Sequence, residues 1–175
     1  MKNIIAMNRN QISTALGMIL SLILLTGITS LQAQCSKPMP KDKILMNTSG
    51  SGNVIIHDYD VVAYVVANKT VKGQASFAVY YNNAVYRFTT LENKDTFKKE
   101  PAKYAPGFGG YCPVAASMGD VEDIENDQFD VYQGKLYLFM NKKAKGMWDR
   151  DKTAILAKAT TNWPCLTEEE GKKTK

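Results

Sequence analysis

Apolar and polar residues alternate in two stretches of this chain, and each stretch predicts a β-hairpin. Asn82 and Asn83 interrupt the first alternation, and asparagine tolerates the positive φ that a two-residue turn requires. Gln133 and Gly134 interrupt the second in the same way. The predicted strand pairs are residues 76–81 with 84–89, and residues 129–132 with 136–140.

Two further runs, residues 54–56 and 61–66, are rich in β-branched residues and predict buried strand pieces around a turn. Residues 89–92 read Thr-Thr-Leu-Glu, which matches a capping box. We therefore expect a helix through about Lys99 that buries Leu91 and Phe97 and ends near Pro101.

Helical patterns continue toward the C-terminus. Residues 113–118 predict a helical turn after a glycine-rich stretch, and Asn141 is suited to cap a final helix. Gly146 and Asp151 indicate that this helix is interrupted. Its expected apolar face comprises Ala144, Met147, Trp148, Ile155 and Ala159. The fold class is thus α+β, with a small, mostly antiparallel sheet of two hairpins packed with a short helix and a C-terminal helix.

The N-terminus has the composition of a targeting segment. Lys2 and Arg9 precede an uncharged apolar stretch, and Ala33 is suited to cleavage, so residues 1–33 are interpreted as a signal peptide. An uncleaved membrane anchor and a lipidated Cys35 are the alternatives. The protein is expected to be exported, periplasmic or secreted. Residues 34–53 would be a flexible lead-in, 54–165 the domain and 166–175 a charged tail.

The charge balance argues against a nucleic-acid partner. The chain has 22 Lys and Arg against 17 Asp and Glu, so loss of Lys2 and Arg9 leaves a net charge of +3. This excess is spread along the chain without basic runs interleaved with aromatics. No stable membrane span is expected if the leader is cleaved. The acidic stretch of Asp123, Glu125, Asp127 and Asp130 lacks the spacing of a calcium loop and is interpreted as solvated.

Cys112 is the most informative chemical feature, because it follows a glycine-rich turn. Glycine allows close backbone approach, and a thiol is a soft metal ligand. The thioether of Met118 lies six residues away, and His57 is the only histidine. His57 and Asp60 could complete a metal site or, with Cys112, a nucleophilic dyad. The competing interpretation is that Cys112 only packs in the core.

Six segments occur in an order that resembles a known family, the exported single-domain branch of the YHS-domain proteins. The similarity covers residues 54–164. The segments are residues 59–64 (YDVVAY), 86–88 (YRF), 101–106 (PAKYAP), 109–112 (GGYC), 134–138 (GKLYL) and 162–164 (NWP).

This resemblance implies a small domain from a wider group associated with heavy-metal handling, so copper is the candidate cofactor. Metal-handling members typically have a cysteine after the Tyr-x-Phe strand, where this chain has Thr89 and Thr90, and the Tyr-His-Ser tripeptide is absent. The expected metal ligands are Cys112, Met118, His57 and Asp60. The expected ligand-binding residues are Tyr59, Tyr64, Tyr111, Gly109 and Gly110.

Cys35 and Cys165 flank the resembling region, one at each end. Because domain termini are commonly close together, we expect a Cys35–Cys165 disulfide that leaves Cys112 free. A different pairing and an unpaired Cys35 are the alternatives.

Three functions follow as hypotheses. The first is an exported small binding domain of YHS type that binds a soft metal ion, copper above zinc, near Cys112. The second is a thiol-dependent enzyme or redox protein that uses Cys112 with His57, and the third is an interaction module with no small-molecule site. No residue is assigned a catalytic role under the first hypothesis.

Overall fold

The computed structural model describes residues 45–50 and 52–173, with side chains described up to Thr167. The predicted leader, the lead-in up to residue 44, and Cys35 lie outside the described residues. The strands are β1 (Thr48–Ser49), β2 (Val54–Ile55), β3 (Gln74–Tyr81), β4 (Ala84–Phe88), β5 (Glu125–Tyr132) and β6 (Lys135–Phe139). The helices are α1 (Val61–Ala67), α2 (Leu91–Lys99), α3 (Pro101–Tyr104), α4 (Pro113–Met118), α5 (Lys142–Arg150) and α6 (Lys152–Lys173).

The strands form two sheets, and the α+β prediction is confirmed. The first has the order β1-β2-β4-β3, in which only the β2–β4 pair is parallel. The second is the antiparallel β5–β6 hairpin. Both predicted hairpins are present because their turn residues take positive φ: 47° at Asn82, 62° at Asn83, 52° at Gln133 and 74° at Gly134.

The prediction of a strand at residues 61–66 is wrong, because this segment forms α1. The side chain of Asp60 caps this helix and accepts hydrogen bonds from the N–H groups of Val62 and Ala63 at 2.9 and 3.1 Å. The first four residues of α1 are buried, so tertiary packing and the cap override the strand propensity of valine. The neighbouring run is a strand only at Val54–Ile55, and Ile56 begins a 3-10 turn.

Helix α2 lies where the capping motif predicts it, with one shift. Thr90, not Thr89, is the N-cap, and its hydroxyl accepts a hydrogen bond from the Asn93 N–H at 3.1 Å. Phe97 is buried as expected. The expected burial of Leu91 is wrong, since its side chain is 56% exposed at the first position of the helix.

The C-terminal pattern forms two helices rather than one. Asn141 caps α5 by accepting a hydrogen bond from the Ala144 N–H at 2.9 Å. Asp151 has an extended φ of −154°, which ends α5, and its carboxylate then caps α6 at the Ala154 N–H. Helix α6 continues to Lys173, so the predicted charged tail is largely helical.

The core lies between the two sheets' apolar faces and the helices, and aromatic rings fill much of it. Trp148 of α5 packs on Tyr137 and Phe139, and Phe97 of α2 packs on Tyr86 and Phe88. A smaller cluster joins α4 to α6 through Ala116, Ala159 and Leu166. Among residues 45–50 and 52–173, no helix combines the length and apolar character needed to span a bilayer.

The predicted lead-in contributes to the fold at its C-terminal end. Asn47 is only 5% exposed, and β1 pairs with β2. The N–H of Asn47 donates to the Gly109 carbonyl at 2.8 Å, and its own carbonyl accepts from the Ile56 N–H at 3.0 Å. The packed domain therefore begins before the predicted boundary at Val54.

Candidate functional site

The glycine turn before Cys112 lies against the chain's own backbone. Phe108, Gly109 and Gly110 have left-handed φ values of 50°, 60° and 89°. A Cβ added to Gly109 would overlap the carbonyl oxygen of Leu45. The space that a side chain at Gly109 would need is thus filled by the segment around Leu45 and Asn47. Gly109 and Gly110 are not arranged as an open cradle for a ligand.

Cys112 is a free thiol in the interior. It is 0% exposed, belongs to the main hydrophobic core, and occupies the N-cap position of α4. Its N–H donates to the Glu122 carbonyl at 3.1 Å. This is the environment of a packing cysteine rather than that of an accessible nucleophile or ligand.

Met118 is not brought to Cys112. Six residues separate them along α4, which corresponds to about 9 Å at 1.5 Å per residue. Met118 is 62% exposed at the far end of the helix, whereas Cys112 is fully buried. One metal ion therefore cannot contact both sulfur atoms without rearrangement of the helix.

His57 projects from a strained turn. Ile56, His57 and Asp58 are three consecutive non-glycine residues with positive φ, at 42°, 55° and 75°. Such conformations cost on the order of 1–3 kcal/mol each and persist only where surrounding contacts enforce them. Here the Gly73 N–H donates to the Asp58 carbonyl at 2.7 Å, and Arg87 pairs with the Asp58 carboxylate at 2.7 Å.

Both ring nitrogens of His57 have partners, and neither partner is Cys112. The Nδ2 group of Asn126 lies 3.1 Å from Nδ1, and because an amide NH₂ only donates, Nδ1 accepts. The proton is therefore assigned to Nε2, which donates to Asp123 Oδ2 at 3.1 Å. The expected Cys112–His57 dyad is not formed in this structure.

Asp123 is held in place by three donors. Its Oδ1 accepts hydrogen bonds from Asn47 Nδ2 at 2.8 Å and from the Ile124 N–H at 2.7 Å. Partial desolvation alone would raise its pKa, but these hydrogen bonds and His57 outweigh that effect and lower the pKa of Asp123 below its usual value. The side chain is 63% exposed, so a fixed carboxylate reaches solvent.

We call Asn47, His57, Asp123 and Asn126 the His57 cluster. Sequence reasoning selected only His57 as a site residue, since Asn47 was assigned to the lead-in and Asp123 to a solvated stretch. No local pattern joins residues this far apart: Asn47 and Asp123 are 76 positions apart and His57 and Asn126 are 69 apart. The acidic stretch was the only signal that pointed toward Asp123.

Asp60 is committed to structure rather than to a metal. Besides capping α1, its Oδ2 accepts hydrogen bonds from the Thr89 N–H and hydroxyl at 2.8 Å each and from Asn93 Nδ2 at 2.7 Å. The residue is 0% exposed. Its carboxylate is saturated with donors, which leaves no lone pair directed at a ligand.

The three candidate tyrosines lie in two places. Tyr64 is buried, donates to the Asn126 carbonyl at 2.6 Å, and has a raised pKa because burial disfavours the phenolate. Tyr59 lies beside it, with ring centroids 6.4 Å apart. Tyr111 instead packs near Trp163 of α6 at 6.1 Å. Tyr59 and Tyr64 therefore adjoin the His57 cluster, and Tyr111 does not take part in it.

Within the part of the chain that the structure describes, no group of three or more His, Cys, Asp or Glu side chains is arranged to hold a metal ion. The His57–Asp123 pair offers two side chains with atoms that can bind a metal ion.

A surface groove of about 340 Å³ contains none of the predicted site residues; it is lined by Tyr132, Gln133, Thr153, Leu156, Ala157 and Thr160. The expected Cys35–Cys165 bridge stays a prediction, since Cys35 lies outside the described residues.

Comparison of the chain with protein-family models, with curated proteins and with solved structures returned no match.

Proposed function

We propose that this chain is a small exported binding domain of YHS type, without catalytic activity, whose ligand site is the His57 cluster. The resemblance of six ordered segments supports the family, and the apolar targeting segment supports export. The proposed site is not at Cys112, because that thiol is buried and the thioether of Met118, the expected second metal ligand, is exposed at the other end of the helix.

The observation that carries the proposal is the left-handed turn that presents His57. Backbone strain over three consecutive residues reduces stability, and strain of this kind concentrates at binding and catalytic sites. Two separate anchors, the Asp58–Arg87 ion pair and the Asn126 contact to His57, hold the turn in this conformation.

The ligand that suits the cluster is cationic. Asp123 presents a fixed, exposed carboxylate, and Glu122 and Glu125 beside it are also exposed. The Asn126 Oδ1 atom is buried and has no hydrogen-bond partner among the described residues, so it is not open to a ligand in this conformation. An amine supplies N–H donors to the exposed carboxylate of Asp123. A copper ion would instead need the lone pair of His57 Nε2 beside Asp123 Oδ2, so it would have to displace the proton that Nε2 carries here.

The proposal is tested by recording ¹H–¹⁵N spectra of the purified protein during titration with Cu⁺ under reducing conditions, with Zn²⁺ and with spermidine. We expect saturable shifts at His57, Asp123 and Asn126 with at least one probe. His57→Gln and Asp123→Asn should each weaken binding about tenfold or more, because each removes one of two principal contacts. Asp127→Asn is the matched control, since Asp127 is an exposed acid on the same strand as Asn126.

Three results would contradict the proposal: no saturable shift with any probe, shifts centred on Cys112, or equal weakening of binding by the control variant.

The thiol-enzyme alternative lacks support because the thiol of Cys112 is buried and both ring nitrogens of His57 contact other residues.

A further inference from the structure

The segment of residues 45–49, which we call the N-terminal strap, lies against the glycine turn. The carbonyl oxygen of Leu45 occupies the space where a Cβ of Gly109 would be. The N–H of Asn47 donates to the Gly109 carbonyl at 2.8 Å, and its side-chain Nδ2 donates to the Gly110 carbonyl at 3.2 Å. The strap is thus attached to the turn through both the backbone and the side chain of Asn47.

The strap also supplies a contact of the His57 cluster. The same Nδ2 group of Asn47 donates to Asp123 Oδ1 at 2.8 Å, so it is one of the donors that hold this exposed carboxylate in place. An amide NH₂ has two hydrogens, one for Gly110 and one for Asp123. Displacement of the strap would therefore remove a donor from the carboxylate that the ligand is expected to contact.

The glycine turn contacts helix α6 as well. The rings of Phe108 and Trp163 pack edge to face with centroids 5.5 Å apart, and Cys165 lies two residues beyond Trp163 and is half-buried. Cys35 precedes Leu45 by ten positions, a length of chain that spans up to roughly 33 Å when extended. Because Leu45 and Trp163 contact the same turn, this length is sufficient for Cys35 to reach Cys165.

The state of the cysteines limits the pairing. Cys165 is disulfide-bonded, whereas Cys112 is a free thiol with no exposure. The chain has three cysteines, so the remaining partner within the chain is Cys35, which lies outside the described residues. A bond to Cys165 of a second copy is the alternative that the experiment must exclude.

We propose that Cys165 is bonded to Cys35, and that this bridge fixes the N-terminal strap and thereby holds Asn47 against Asp123. The His57 cluster is then fully assembled only in an oxidising compartment, an inference that rests on the proposed function of the cluster as a ligand site. In a reducing compartment both cysteines stay thiols. After export, exchange with an external disulfide forms the Cys35–Cys165 bond and releases that disulfide as two thiols, which carry the two electrons and two protons.

The test compares the exported protein, purified without reductant, with the double variant Cys35→Ser/Cys165→Ser. Peptide mapping without reduction should recover a Cys35–Cys165 peptide pair. In the double variant the Asn47 amide should exchange about tenfold faster or more, and by a larger factor than the amides of the β5–β6 hairpin, because the strap loses its anchor. Spermidine should bind about threefold more weakly or worse, because Asp123 loses a hydrogen-bond donor.

Asp130→Asn is the matched control, because Asp130 contacts Trp148 and Lys152 and takes no part in the strap or the cluster. This variant should speed exchange in the β5–β6 hairpin at least as much as at Asn47 and should bind spermidine like the wild type. Reduction of the folded wild type with dithiothreitol should reproduce the double variant, which keeps the test decisive if that variant does not fold.

A disulfide between two copies of Cys165, a disulfide of Cys112, or equal exchange at Asn47 in oxidised and reduced protein would each overturn the proposal. Equal binding of spermidine by both forms would overturn the link to the ligand site and leave the proposed function standing. If neither form binds spermidine, the amine ligand of the proposed function fails, and the peptide map and the exchange rates still decide whether the bridge holds the strap.

Discussion

The Oδ2 atom of Asp60 accepts a hydrogen bond from the Thr89 N–H at 2.8 Å, and this contact joins the start of α1 to the residue that follows β4. The other oxygen of the same carboxylate caps α1. A third element is attached through Asn93 of α2. One buried carboxylate therefore fixes a helix start, a strand end and a second helix.

Replacing Asp60 should be among the most damaging substitutions in the chain. Asp60→Ala leaves several buried donors without an acceptor, and we expect a loss of about 3–5 kcal/mol in the free energy of unfolding. Urea denaturation measures this loss. Asp95→Ala is the control, because Asp95 is exposed on α2 and should change stability by less than about 0.5 kcal/mol. A loss of similar size in both variants would show that Asp60 does not have this role.

The glycine turn offers a second test with an internal control. Gly109→Ala introduces a Cβ that overlaps the Leu45 carbonyl oxygen, in addition to the strain of a φ of +60°. Gly134→Ala introduces comparable strain at a φ of +74°, with nothing within 4 Å of the new atom. We expect about 1 kcal/mol of destabilisation for Gly134→Ala and at least about 2 kcal/mol more for Gly109→Ala.

Hydrogen exchange separates the two causes in Gly109→Ala. The clash should release the segment around Asn47, so its amide should exchange faster in this variant than in Gly134→Ala. If the two variants lose the same stability and protect Asn47 equally, the close packing of Leu45 on the turn has no energetic role.

The parts of the fold that the sequence predicts well are those set by neighbouring residues. Asn82, Asn83 and Gly134 specify turns through their own backbone preferences, and alternation assigns the flanking strands. The segment after Asp60 was predicted incorrectly because valine favours strands. Asp60 caps α1 through the nearby N–H groups of Val62 and Ala63, but the Thr89 and Asn93 donors that fix its other oxygen are distant in sequence.

The candidate site was harder to predict from the sequence than the fold. His57 was selected because it is the only histidine, but its partners Asp123 and Asn126 are supplied by folding from segments more than 60 residues away. Cys112 was selected on its chemistry, and the sequence alone could not show that the glycine turn packs against Leu45 or that the thiol is buried in the core.

Burial of Cys112 predicts slow chemical modification. Because the thiol is 0% exposed, alkylation by iodoacetamide requires opening of the structure around α4. We expect the native rate to be at least about 100-fold below the rate in urea, in keeping with opening free energies of several kcal/mol. Mass mapping of the peptide that contains Cys112 gives both rates.

Met118→Cys provides the matched reference for this measurement, because position 118 is exposed at the other end of the same helix. The introduced thiol should react at nearly the same rate in native protein and in urea. Rapid native modification of Cys112 itself would contradict its burial and would restore the thiol-enzyme and copper hypotheses at that residue.

The contacts of Asp130 predict a specific dependence of stability on pH. Its Oδ2 accepts hydrogen bonds from Trp148 Nε1 at 2.7 Å and from Lys152 Nζ at 2.6 Å. Partial desolvation alone would raise the pKa of Asp130, but these two donors outweigh it, so the pKa in the folded protein lies below its usual value. The stabilisation is therefore fully present above the unfolded-state pKa of about 3.9 and is lost as the pH falls through the folded-state value.

Asp130→Asn removes the titrating carboxylate and the ion pair to Lys152. We expect this variant to be about 1–2 kcal/mol less stable than the wild type at pH 7, since a charged hydrogen bond becomes a neutral one. At strongly acidic pH the wild-type carboxyl is protonated, so the difference should shrink. Asp127→Asn, at an exposed position of the same strand, should show little difference at either pH. Urea unfolding at both pH values measures these differences in the free energy of unfolding. If Asp130→Asn is less stable than the wild type by the same amount at pH 7 and at strongly acidic pH, packing and not the ion pair explains the contribution of Asp130.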